Sequence, residues 1–125
     1  METNFKTVDK DATLGDLVKV VAISKRNVFP VIDEQNNFYG NVHLNDIRHV
    51  IFKPELYDET PVTSLMNTPL ATASLDESME DIVEKFQQTQ HFNIPVLQNG
   101  KYIGFVSRAN VLTKYRKLLK HFSED

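Results

Sequence analysis

One stretch of this chain occurs twice, and that repetition limits what the chain can fold into more than any other feature. Phe29-Pro30-Val31-Ile32 runs through a polar turn into Gly40-Asn41-Val42-His43-Leu44-Asn45-Asp46. Ile94-Pro95-Val96-Leu97 runs through Asn99-Gly100 into Gly104-Phe105-Val106-Ser107-Arg108-Ala109-Asn110. Pro30 recurs as Pro95 and Gly40 as Gly104, and the interval from proline to glycine is one residue shorter in the second copy. That difference falls in the turn, where chain length is cheapest to change. Upstream, Leu14, Leu17, Val18 and Val21 recur as Met79, Ile82, Val83 and Phe86, at the same offset that separates Pro30 from Pro95. A shared register over four core positions marks a duplicated unit. Half of 125 residues is a small unit. A unit near 60 residues buries only about 60% of its unfolded surface and is marginal alone. The expectation is two halves, residues 1–58 and 59–125, packed about a pseudo-two-fold axis with function at their seam.

The elements follow from periodicity and punctuation. Phe5 to Val8 alternates and reads as a short strand. Thr13 with Asp16 three residues later opens a capped helix, whose face is Leu14, Leu17, Val18 and Val21. Val28 to Ile32 and Phe38 to Val42 are strands joined by a turn at Gln35-Asn36-Asn37. Leu44, Ile47, Val50 and Ile51 predict a helix that stops before Pro54. Lys53 to Thr60 is a polar link, and Val62 to Met66 a helical turn. The second half repeats the order. Leu70 to Ala73 reads as a strand, and Ser78 caps a helix. Phe92 to Leu97 and Tyr102 to Val106 are strands around the hairpin signal Asn99-Gly100. Ser107 opens a long final helix with Val111, Leu112, Tyr115, Leu118, Leu119 and Phe122 on one face. Each half is therefore β-α-β-β-α, the sheet should be mixed, and the class is α+β.

A net charge of −3 argues against sequence-independent binding to nucleic acid, which draws on a basic surface. The chain has no cysteine, so it offers neither a disulfide framework nor thiolate chemistry, in keeping with a cytosolic setting. No apolar run is long enough to span a membrane. Met1-Glu2-Thr3-Asn4 reads as a start set in front of a fragment of a longer protein. His49, His91 and His121 lack metal-ligand spacing, and no nucleophile stands beside a base, so the expectation is no metal and no enzyme.

The apolar-Pro-Val strand and the Gly-x-apolar-Ser/Thr-x-x-Asp/Asn pattern, each present twice, resemble the CBS domain in tandem, a Bateman module. The first copy departs from the pattern, with His43 where a hydroxyl is usual. More narrowly, Gly104-Phe105-Val106-Ser107 followed by Tyr115-Arg116 and a basic helix is similar to the C-terminal cytosolic module of prokaryotic ClC-family chloride channels and transporters. The resemblance implies two β-α-β-β-α repeats about a pseudo-two-fold axis, with ATP, ADP or AMP as a regulatory ligand and no required cofactor. It implies as partners a second copy, giving a homodimer, and the transmembrane part of the parent channel. It also implies a place at the cytoplasmic face of the inner membrane. An alternative is a ligand-free dimerisation module of another transporter or enzyme, which His43 and Asn110 favour.

The resemblance also implies site residues. One cleft would join Ser107 and Asn110 to Lys6, Val28 and Phe29; the other would join His43 and Asp46 to Leu70, Asn93 and Ile94. Apolar residues there would flank adenine, with Phe29 and Ile94 open to a second reading as plain core. Asp46 and Asn110 would hold the ribose hydroxyls. A carboxylate accepts two such bonds, whereas an amide offers one acceptor and a donor. Ser107 either caps the final helix alone or also meets phosphate or ribose. Arg108 is a candidate phosphate contact by position, and His43 either bonds phosphate or plugs the cleft.

Overall fold

Two capped helix starts, at Thr13 and at Ser78, set the frame of both repeats. At the first, the Asp16 N–H donates to Thr13 Oγ1 at 3.3 Å, and the Thr13 N–H returns a bond to Asp16 Oδ2 at 3.0 Å. These reciprocal bonds satisfy amides that a helix start leaves unpaired. The Thr13 N–H, and with it the Thr13 hydroxyl, bonds Asp16 Oδ2 and holds the Asp16 carboxyl below its usual pKa. At the second, the Asp81 N–H donates to Ser78 Oγ at 3.2 Å. The structure, a computed structural model, describes residues 1–123; as a side chain, Phe122 lies outside the described residues.

The elements are β1 (Val8–Asp9), α1 (Leu14–Ile23), β2 (Val28–Ile32), β3 (Phe38–His43), α2 (Met79–Thr89), β4 (Asn93–Gln98), β5 (Lys101–Ser107) and α3 (Arg108–Ser123). Short 3₁₀ turns lie at Leu44–Ile47, Pro54–Leu56 and Val62–Ser64. β1 pairs parallel to β2 and β2 antiparallel to β3, so this sheet is mixed, and β4 pairs with β5. The class is α+β. Asn99 (φ 53°) and Gly100 (φ 79°) are both left-handed, as a two-residue hairpin with the native strand twist requires.

The chain divides into two units that interleave in sequence. The first-repeat unit holds Asn4–Pro69 with Asn99–Tyr102. The second-repeat unit holds Met1–Thr3, Leu70–Gln98 and the described residues from Ile103 onward. In the first, Leu14 and Leu17 of α1 pack with Val8, Phe29, Val31, Val42, Ile47 and Val62. In the second, Val83 and Phe86 of α2 pack with Ala73, Ile94, Val96 and Val111.

Each unit contains a short irregular segment laid against its last strand. In the second-repeat unit the Glu2 N–H donates to the Phe105 carbonyl at 2.7 Å, and the Phe105 N–H donates back at 2.8 Å. In the first-repeat unit Asn41 and Asn67 exchange the same pair of bonds at 2.9 and 2.8 Å. The repeated glycines make room for these segments. A Cβ at Gly40 would stand 2.9 Å from the Asn67 carbonyl oxygen, and one at Gly104 would stand 2.6 Å from that of Glu2.

Four expected features differ. The strand expected over Leu70 to Ala73 is one parallel bridge, Ala73 to Val96, because Ser74 at once turns the chain through bonds to Asp76 and Glu77. The strand expected over Phe5 to Val8 is confined to Val8–Asp9. The helix expected from Leu44 to Ile51 is a 3₁₀ turn followed by further turns, and His43 gives it no side-chain cap. On α3, Val111 is buried and Leu112 and Tyr115 pack on the core, but Leu118 and Leu119 are exposed.

Candidate functional site

In the first-repeat unit β3 ends at His43, which is extended (φ −100°, ψ 129°) and exposed. Val28, half-buried, lies directly across the ladder from it. The Leu44 N–H donates to the Asn27 carbonyl at 2.9 Å, which ties the helical turn to the entrance of β2. Asp46 is exposed in that turn, and its Oδ2 accepts from Asn67 Nδ2 at 3.1 Å. Lys6 is exposed, and Phe29 is fully buried in the core. Next to Gly40, Asn41 is 3% exposed where the other repeat has Phe105, and its Oδ1 has no hydrogen-bond partner among the described residues.

The second-repeat unit repeats this junction with better capping. Ser107 closes β5, and its Oγ accepts the Asn110 N–H at 3.1 Å. The expected cap is thus present, and the Asn110 side chain is exposed. The Arg108 N–H donates to the Phe92 carbonyl at 2.8 Å, the counterpart of the Leu44–Asn27 bond. The Arg108 guanidinium lies 5.8 Å from the Phe92 ring centroid, within reach of a weak cation–π attraction. Asn93 is half-buried at the entrance of β4, Ile94 is fully buried, and Leu70 is 79% exposed.

The structure therefore gathers Val28, His43 and Asp46 in one unit, and Asn93, Ser107, Arg108 and Asn110 in the other. Phe29 and Ile94 spend their side chains in the cores, so only their main chain is left to meet a ligand. Asn67 and Glu2 stand at these junctions and were not found from the sequence. Their segments have no periodicity, and only the offset they share with Pro30 and Pro95 marks them. A groove of about 410 Å³ lined by Thr7, Val8, Asp9, Asp11, Ala12, Asp16 and Val20 contains none of the expected site residues.

These side chains supply hydrogen bonds rather than a reacting group. Ser107 and the amides at the start of α3 suit an anion or a hydroxyl. A carboxylate such as Asp46 suits paired hydroxyls. Among the described residues no group of three or more His, Asp or Glu is placed to hold a metal ion, and no helix is long and apolar enough to cross a membrane.

Known proteins share this fold. The chain is 25% identical over 112 residues to a homoserine O-acetyltransferase of Methanococcus vannielii, covering 89% of this chain and 23% of that one. It is 26% identical over 121 residues to protein MJ1004 of Methanocaldococcus jannaschii, covering 94% of this chain and 55% of the other. It thus spans about a quarter to a half of the length of these curated relatives. The crystal structure of MJ1004 superposes with a TM-score of 0.78 at 25% identity, over 99% of this chain and 63% of that one. CBSX2 in complex with AMP gives 0.75 at 21%, over 94% and 93%. The CBS domain of a bacterial CNNM/CorC family Mg2+ transporter in complex with ATP gives 0.73 at 17%, over 87% and 77%. The CBS domain model matches residues 1–53 and again 62–117, and the chain belongs to the CBS domain family as a tandem pair of its repeats.

Proposed function

We propose that this chain is a regulatory module that senses an adenine nucleotide on behalf of a larger protein. The observation that carries this is the duplicated strand-to-helix junction, with Ser107 and Asn110 in one unit and His43 and Asp46 in the other. The AMP and ATP complexes of similar CBS structures support the choice of ligand. Ser107, Asn110, Lys6, Val28 and Phe29 form one set of contacts. His43, Asp46, Leu70, Asn93 and Ile94 form the second, and Arg108 meets phosphate. Phe29 and Ile94 contribute main-chain groups. Ligand shifts the equilibrium between two states of the parent only by its difference in affinity for them. The module itself is not catalytic.

The parent we propose is a ClC-type chloride channel or transporter, with this module at the cytoplasmic face of the membrane and paired as a homodimer. The match of Gly104-Phe105-Val106-Ser107 and Tyr115-Arg116 to that family supports this parent. The similar Mg2+ transporter module supports a transporter more generally. A ligand-free dimerisation module is the second reading, favoured by the uncapped His43 and by the amide at Asn110. Calorimetric titration with AMP, ADP and ATP separates the two. Saturable heat and a rise in thermal midpoint are expected for at least one nucleotide. No heat and no shift at millimolar ligand leaves the dimerisation reading in its place.

A further inference from the structure

The two junctions differ in where they keep their acid. In the first-repeat unit the carboxylate is Asp46, in the helical turn, and the amide is Asn67, in the segment paired to β3; the two are hydrogen-bonded at 3.1 Å. In the second-repeat unit the helix-start residue is the amide, Asn110. The segment paired to the last strand there carries Glu2. In sequence position and backbone pairing the two junctions correspond. Asn41 lies five residues before Asp46, and Phe105 five before Asn110. Asn67 is paired through its backbone to Asn41, and Glu2 to Phe105, by the same two bonds. Glu2 and Asn67 are themselves separated by the same offset as Pro30 and Pro95. Carboxylate and amide have changed places between the repeats.

We propose that Glu2 is the carboxylate that receives the ribose hydroxyls at the second-repeat junction, with Asn110 as its amide neighbour, while Asn67 orients Asp46 for the same task at the first. The proposal rests on the nucleotide-sensing reading above. Its chemistry follows from acceptor count: a ribose diol presents two donors, which a carboxylate accepts together and an amide does not. The loss of a carboxylate at Asn110 then does not by itself close the second junction, because the acid is supplied from the amino-terminal segment. Glu2 is half-buried, which strengthens a charged acceptor relative to a fully hydrated one.

The experiment compares AMP with 2′-deoxy-AMP by calorimetry in the full chain carrying Asp46→Asn, which leaves Glu2 as the acid under test. AMP is expected to bind at least about tenfold more tightly than 2′-deoxy-AMP, as bonds to a charged acceptor allow. Glu2→Gln, which keeps the shape and the backbone pairing, is expected to bring that ratio close to one with little change in thermal midpoint. Glu2→Asn with Asn110→Asp rebuilds the Asp46–Asn67 arrangement and restores the ratio. A preference for AMP that survives Glu2→Gln overturns the proposal and leaves the nucleotide reading standing. So does an Asp46→Asn chain that no longer binds AMP, or binds both nucleotides equally, while the unsubstituted chain binds AMP. An unsubstituted chain that binds no AMP, ADP or ATP overturns the nucleotide reading and this proposal with it.

Discussion

At position 104 there is no space for even one methyl group. A Cβ there would meet the Glu2 carbonyl oxygen at 2.6 Å, Thr3 Cγ2 at 3.2 Å and Met1 Cγ at 3.3 Å. The nearest atom is backbone and already bonded to Phe105, so it has no rotamer by which to retreat. Gly104→Ala is expected to destabilise the chain by about 1–3 kcal/mol, the usual range for overpacking. A fall of several degrees in the thermal midpoint checks it, and an unchanged midpoint counts against the close approach. Gly40→Ala meets Asn67 at 2.9 Å and should cost less. Both glycines stand out in the sequence as punctuation of the repeat. Their cause does not, because Glu2 and Asn67 lie in aperiodic segments far along the chain from the glycines they crowd. The helix caps at Thr13, Ser78 and Ser107 were legible because a cap is a contact over three residues.

The turn between β2 and β3 is held by one carboxylate. Asp33 accepts the N–H groups of Gln35 and Asn37, each at 2.9 Å, and the Asn37 amide and Tyr39 hydroxyl, each at 3.0 Å. The Asn37 bonds lead in lowering its pKa to about 2 from an ordinary 3.8. A depressed carboxyl pKa means that the folded chain binds this proton less readily than the unfolded one. The stabilisation is therefore present above about pH 4 and is lost as pH falls toward 2. Asp33→Asn is expected to flatten this part of the profile of thermal midpoint against pH between 5 and 2, relative to the parent. An unaltered profile would show that the bonds to Asp33 do not discriminate between its protonation states. Elements with strong local codes, such as α1, α2 and the Asn99-Gly100 hairpin, were readable in advance. The segment after β3 was not. Its apolar spacing matched a helix, but such spacing reports which residues face the core and not whether the turn closes as α or 3₁₀, and His43 supplies no cap.

The duplication can be cut at the polar link into residues 1–58 and 59–125, and each compact unit draws on residues from both sides of that cut. Residues 1–58 lack Thr60, whose carbonyl accepts the Leu14 N–H at 2.8 Å. They also lack Val62, which is fully buried in the first core and donates to the Ala12 carbonyl at 2.9 Å, and Asn67, which pairs with Asn41. They lose Asn99–Tyr102 as well, where Tyr102 donates to the Asn36 carbonyl at 2.9 Å. Residues 59–125 lack Met1–Thr3, and so lose both backbone bonds between Glu2 and Phe105. Each fragment would thus enter folding with a small core already short of surface to bury, near the size where stability is marginal. The two fragments made separately are expected to show no cooperative thermal transition by circular dichroism, whereas the intact chain shows one. A cooperative transition in residues 1–58 alone would mean that the missing strand partners and Val62 contribute little. The first repeat would then be a self-sufficient domain, against the interleaving that its bonds describe.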